Sequence, residues 1–410
     1  MESSGARAPF DAFRLTRAVI EPHGTSQRPY GMPETWKVIS MKKLMFSLCF
    51  LSIIAFSHES FSKTYESEAQ KFTVEKLFSG DDIVWGFDFL GAEEAREIIF
   101  SERDGKLKYL DLNTRKSHEI AGAPKVFSKS QGGLLDVYID QKSGDIYLTY
   151  SDADTKGATT SLFRGKLSSD KRKLEGERLF QANAHATGGL HFGSRIAIDK
   201  NGFIFMSVGE RNQRDSAQDL NTHHGKILRL TKEGVAAPDN PFVGVPGALP
   251  EIWSYGHRNP QGLIIDSRGK LIEVEFGPRG GDELNIIERG ANYGWPVITY
   301  GKEYWGLSIG EKAKAGMMQP FFHWVPSISP SGVAEYNAKA FPKFQGNLFL
   351  ATLSGNHLHR IVLDSHGKVI KEEKLLEDLG ERFRQVKVGP DGLIYLSTDG
   401  GQILRLTPAP

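Results

Sequence analysis

The chain has 410 residues, 39% of them hydrophobic and 25% charged, enough for one large or two ordinary globular domains. Lysine plus arginine number 51 and aspartate plus glutamate 50, for a net charge of +1; no basic surface is implied, which argues against nucleic acid as a partner. Glycine stands out: 44 residues spread among Val, Ile, Leu, Phe and Tyr predict a turn-rich, all-β protein.

In chain order, residues 1–40 carry no clear pattern and are read as an extension from an upstream start codon, with translation beginning at Met41. Two lysines after Met41 lead into an apolar run of about 13 residues, the length of a signal-peptide core and short for a membrane span. Residues 41–62 are therefore expected to be a signal peptide directing the protein to the periplasm; a buried core helix is the other reading. Cys49, the single cysteine, lies in this run, so the expected mature chain has no disulfide and no membrane span.

Residues 70–410 are expected to form one domain built on a repeat. A glycine turn between two apolar runs recurs six times, at Asp104-Gly105, Ser143-Gly144, Asn201-Gly202, Arg268-Gly269, Gln345-Gly346 and Asp391-Gly392. Asp-Gly and Asn-Gly supply the positive φ angles that tight hairpins need. A third run follows several copies, as at 225–230, 359–363 and 401–406. Blades of three or four strands cannot bury their faces alone, so the prediction is a closed six-bladed β-propeller. Phe72 to Phe78 is expected to add the outer strand to the last blade. An open β-sandwich is the rival architecture. Extra residues between copies two and five must leave as loops, notably 238–250 and 301–330, which are expected to govern substrate choice.

Five segments beside these hairpins carry chemistry. His191, between glycines just before the third blade, is suited to act as a base near neutral pH, although a structural histidine fits the same pattern. Arg258-Asn259-Pro260 offers rigid donors for a carboxylate or quinone oxygen, or is a plain surface turn. Gly277-Pro278 exposes backbone carbonyls near Asp282-Glu283, a set that suits calcium or a solvated turn. Next comes Asn292-Tyr293-Gly294-Trp295-Pro296, read as a strand running close to that loop. Arg382 and Arg384 stand two apart, so they share one side of a strand and repel each other unless an anion or a ring of acceptors lies between them, or they are simply two arginines on an exposed strand face.

Taken together, Gln131-Gly-Gly-Leu-Leu-Asp, His191-Phe-Gly-Ser-Arg-Ile, Gly256-His-Arg-Asn-Pro-Gln-Gly, Gly277-Pro-Arg-Gly-Gly-Asp-Glu, Asn292-Tyr-Gly-Trp-Pro and Trp324-Val-Pro-Ser-Ile-Ser-Pro-Ser-Gly resemble the soluble glucose/sorbosone dehydrogenase family, in its aldose sugar dehydrogenase branch. The resemblance implies a propeller that holds pyrroloquinoline quinone (PQQ) and calcium and oxidises aldose sugars at C1 to lactones. It implies His191 as general base, with Gln131, Arg258, Asn259, Tyr304, Ser354, Arg382 and Arg384 against the cofactor. The carbonyls of Gly277 and Pro278 would hold the catalytic calcium, and Glu283 with the carbonyl of Tyr293 a second, structural one.

Two departures stand out. Ser354 occupies a loop where family members often carry a lysine, and Leu190 stands where the glucose-specific branch has an acidic residue, so the base is expected to lack an orienting carboxylate. Two rivals remain: a calcium-dependent lactonase on a similar propeller, and a non-catalytic propeller that binds sugar or protein. The electron acceptor, the preferred sugar and the choice between monomer and homodimer are not written in the sequence.

Overall fold

The computed structural model describes residues 63–410; the expected extension, signal peptide and Cys49 lie outside the described residues. Within this range 25 β-strands form six sheets, one of five strands and five of four, with three short 3-10 helices and no α-helix among the described residues. The fold is the expected six-bladed β-propeller.

The first strands of the six blades are Val84–Phe89, Leu134–Ile139, Ile196–Ile198, Pro260–Ile265, Pro330–Glu335 and Phe383–Val388, and they pack against one another around the axis. In the last blade, Gln402–Pro408 pairs antiparallel with Lys71–Ser79, setting Phe72 opposite Pro408. The N-terminal strand thus completes the C-terminal sheet, as expected, and joins the two ends of the ring.

Every junction between neighbouring blades has its own apolar core. Ile99 and Leu107 of the first blade meet Leu134 and Val137 of the second; Phe205 and Ile227 of the third meet Leu263 and Leu271 of the fourth. Across the closing junction, Tyr395 and Ile403 of the sixth blade pack on Val84, Phe87 and Phe100 of the first. Burying one such side chain fully contributes roughly 1.5–3 kcal/mol, so the ring is held at every seam.

Two repeat copies sit differently from their expected phase. The hairpin at Asp104-Gly105 joins Glu97–Glu102 to Leu107–Asp111, the second and third strands of its blade, not the first and second. At Gln345-Gly346 the residues before the turn are a 3-10 helix, Pro342–Phe344, and the strand paired with Leu348–Thr352 is the more distant Pro330–Glu335. The aromatic stretch at 292–296 is also not a strand: it is irregular and touches Tyr255 through one isolated bridge from Asn292.

Candidate active site

A cavity of about 340 Å³ opens where residues preceding and following the inner strands converge. Gln131, His191, Arg258, Gly277, Pro278, Tyr304, Arg382 and Arg384 all line it. The remaining expected residues lie nearby but elsewhere. Asn259 is fully buried behind the wall, its Oδ1 accepting the Gly193 N–H at 3.1 Å. Ser354 lines an adjoining cleft of about 730 Å³, shared with Tyr304 and Pro278. Glu283 and Tyr293 line a small cavity of about 10 Å³ on the far side of Arg258.

His191 is held in a strained backbone. Its φ is 53°, and Ser194, Arg211 and Asn212 are also in positive-φ conformations that non-glycine residues seldom adopt. The surroundings fix it there. Gln131 Oε1 accepts its N–H at 2.8 Å, and the Arg211 guanidinium donates to the carbonyls of Leu190 and Gly188 while stacking on Phe192, 3.4 Å from the ring centroid. Gly209 must be glycine, because a Cβ there would lie 2.1 Å from the His191 carbonyl oxygen.

The imidazole does not lack a carboxylate. Nδ1 of His191 lies 3.0 Å from Oε1 of Glu210, although the contact is too bent for a straight hydrogen bond. Both groups are buried. Burial lowers the His191 pKa below the ordinary value; Glu210 pulls it up and Arg258 pushes it down. Burial works the other way on Glu210, but His191, Arg258 and the Asn212 N–H overcome it and keep the carboxyl below its usual range. A neutral imidazole beside an ionised carboxylate satisfies both directions.

Arg258 and Asn259 are anchored from behind by Glu275, whose Oε2 accepts both backbone N–H groups, at 2.6 and 3.2 Å. The Arg258 Nη1 caps the carbonyls of Phe276 and Gly277 at 3.0 and 2.9 Å. Asp282 pins the same turn: it accepts from the Gly277 N–H and from the N–H groups of Ile328 and Ser329. A Cβ on Gly277 would strike the carbonyls of Gly280 and Gly281 at 2.3 Å, so this carbonyl-rich turn closes only around glycine.

The two arginines of the sixth blade have the anion they require. Asp399 bridges them, 2.9 Å from Nε of Arg382 and 2.9 Å from Nε of Arg384. Even so, Arg103, Arg258, Arg382 and Arg384 line the cavity against one carboxylate, so it is set up for an anion.

Behind Arg258, adjacent strands pair Glu275 with Glu283 and Glu273 with Asn285, and His257 stands within ligand distance of Glu273 and Glu275. Burial, with Glu275 as charged neighbour, holds the Glu273 and Glu283 carboxyls well above the usual range. Glu273 Oε1 is buried without a partner. Uncompensated buried carboxylates of this kind suit a hard divalent cation.

The family described as glucose/sorbosone dehydrogenase matches residues 81–405. The chain belongs to the glucose/sorbosone dehydrogenase family. It is 40% identical over 347 residues to the aldose sugar dehydrogenase YliI of Escherichia coli, covering 82% of this chain and 92% of that protein. Among solved structures of this family, the apo form of the soluble aldose sugar dehydrogenase from Escherichia coli has 38% identity and a TM-score of 0.79, covering 82% of this chain and all of that one. The PQQ-bound aldose sugar dehydrogenase of Streptomyces coelicolor has 28% identity and a TM-score of 0.68, over 83% and 99% of the two chains. No helix among the described residues is long and apolar enough to cross a membrane.

Glu210, Arg211, Glu275 and Asp399 were not singled out in the sequence. Each acts across a fold contact, and only the demand that Arg382 and Arg384 share an anion hinted at one of them.

Proposed function

We propose that the protein is a PQQ- and calcium-dependent dehydrogenase that oxidises aldose sugars at C1 to lactones in the periplasm. The observation that carries this reading is the joint lining of one cavity by a buried histidine, the arginine set and the Gly277-Pro278 turn. The residues present fit both groups. Surplus guanidinium charge suits a planar polycarboxylate, and its size falls in the range of about 300–1,000 Å³ usual for small-molecule sites. For calcium, the Gly277-Pro278 turn offers backbone carbonyls, that of Gly277 shared with the Arg258 guanidinium, and the Glu273, Glu275 and Glu283 cluster, with Tyr293 beside it, offers a second donor set.

Nε2 of His191 would take the proton of the sugar's C1 hydroxyl, since Nδ1 faces Glu210. Its lowered pKa keeps it neutral, and so able to accept, at neutral pH. Arg258, Arg382 and Arg384 would orient the cofactor carboxylates, with Gln131 and Tyr304 on its rim and Asn259 buttressing Arg258. Bound there, the quinone would accept the C1 hydride and calcium would polarise it as a Lewis acid.

A lactonase would want a cluster of acidic side chains on the cavity itself; here the one acid on the wall, Asp399, is paired with Arg382 and Arg384, the others stand one layer behind, and the wall is basic. Purified apo-protein supplied with PQQ and calcium tests the proposal by dye reduction with a panel of aldoses. Reduction that requires both additions supports it. Lactone hydrolysis with calcium alone, or sugar binding without turnover, would replace it with one of the rivals.

A further inference from the structure

Arg195 follows the His191 turn, is 2% exposed, and plays no direct part in the chemistry just described. Its guanidinium sits where the inner strands meet. Nη1 donates to Asp136 Oδ1 of the second blade at 2.8 Å, and Nε to the Gln261 carbonyl of the fourth at 2.7 Å. Nη2 donates to the Ser331 carbonyl of the fifth at 2.7 Å and the Arg384 carbonyl of the sixth at 2.9 Å. Its flat face lies 4.2 Å from the ring of Trp85 in the first. One side chain of the third blade therefore touches all five others.

Three of those contacts belong to residues that line the candidate active site: Trp85, Gln261 and Arg384. Arg195 itself, with Asp136 and Gln385, lines a different cavity of about 450 Å³ walled by the inner strands. No residue lines both, although Gln261 and Gly262, and likewise Arg384 and Gln385, are chain neighbours split between them. Gln261 also carries the contact onward, its Nε2 donating to the Gly193 carbonyl at 2.8 Å, two residues from His191.

We propose that Arg195 is a positioning residue for the active site: from the axis it fixes Arg384 and, through Gln261, the His191 turn, and it forms the partition between the site and the axial channel. This rests on the dehydrogenase reading for its kinetic consequence but not for its geometric one. A lysine at 195 keeps a charge for Asp136, yet its point-like ammonium cannot span the planar fork's acceptors on four blades and the Trp85 ring on a fifth.

The test is Arg195→Lys in the full-length protein, with an apo crystal structure, a PQQ titration in calcium and a thermal melt. The expected result is an intact propeller in which the Arg384 guanidinium and the 191–193 turn move by about 1 Å. PQQ binding should weaken about tenfold or more, in keeping with the cost of misplacing binding groups by that distance. Arg384 and His191 in unchanged positions with unchanged PQQ affinity, and only a lower melting temperature, would reduce Arg195 to a stability role and overturn the proposal. Should Arg195→Lys fail to fold, Asp136→Asn keeps the carbonyl contacts and removes the counter-charge; the same displacement at smaller amplitude is expected, and its absence counts against the proposal. If the wild type binds no PQQ, the dehydrogenase reading fails, while the position of Arg384 in the variant still decides this one.

Discussion

His191 and Glu210 meet with Nδ1 3.0 Å from Oε1, a carboxylate at the back of a buried imidazole. As the proposed base, His191 would work in its neutral form, so activity should rise with pH through the imidazole pKa. Burial, the larger influence, and Arg258 set that pKa below the ordinary 6.5, while Glu210 raises it. Glu210→Gln removes the raising charge and the orienting acceptor. The acid limb of the kcat profile should shift to lower pH while kcat at its plateau falls about 10- to 100-fold, less than the loss of the base itself would cost. A limb that stays in place, read from stopped-flow dye reduction across pH, would show that the pair does not act on the base.

Asp399 holds Arg382 and Arg384 together, and both Asp399 and Arg384 are largely buried. Asp399→Asn leaves a buried guanidinium without its counter-charge, a change that costs about 3 kcal/mol. Urea unfolding of the apo-protein should show that loss, and saturating PQQ should shrink it by presenting carboxylates to the same arginines. A loss under about 1 kcal/mol would mean that solvent screens the pair.

Ser354 hydrogen-bonds to Ser329 through their hydroxyls, 2.8 Å apart, at the edge of the cleft beside the cavity. Ser354→Lys adds a cation at the edge of this cleft. PQQ affinity should tighten about tenfold, equivalent to about 1.4 kcal/mol, with kcat at saturation little changed. Equal affinities by titration would place the cofactor carboxylates away from this loop.

The site loop that contains Ser354 continues into a buried histidine. His357 Nδ1 lies 2.7 Å from the Gly355 carbonyl and Nε2 lies 2.9 Å from His359 Nδ1. Burial first, then His359 and Lys374, lower the His357 pKa from 6.5 to about 4. Between those values the unfolded chain binds the proton and the folded one does not, so stability is present above pH 6.5 and is lost as pH falls toward 4. Against His357→Gln, the wild-type advantage should shrink by about 3 kcal/mol from pH 7 to pH 4. A constant gap in denaturant melts would contradict this.

The ring was legible because its hairpins announce themselves: Asn201-Gly202 and Asp391-Gly392 sit in turns between apolar runs, and both are tight turns between first and second strands. The phase of the first blade was not, since Val84–Phe89 carries Gly86 and ends without a turn signal of that kind. Outer strands such as Leu174–Gln181 are mostly exposed and polar, so no apolar alternation marks them. Much of the cavity's lining was readable as motifs, though Trp85, Arg103 and Asp399 were not. Its supports were not: Glu210 reaches His191, and Arg195 reaches Arg384, only after remote loops and blades have been folded together. A local sequence window holds no trace of such pairings.

The proposed dehydrogenase requires that His191 remove a proton during turnover without being needed to hold the cofactor. The direct measurement is kcat for aldose-driven dye reduction by His191→Gln, reconstituted with PQQ and calcium, set beside its PQQ dissociation constant. A loss of about 10²- to 10⁴-fold in kcat is expected, the range for a general base, with PQQ binding within about threefold of wild type. Near-normal turnover by His191→Gln at saturating cofactor would contradict it.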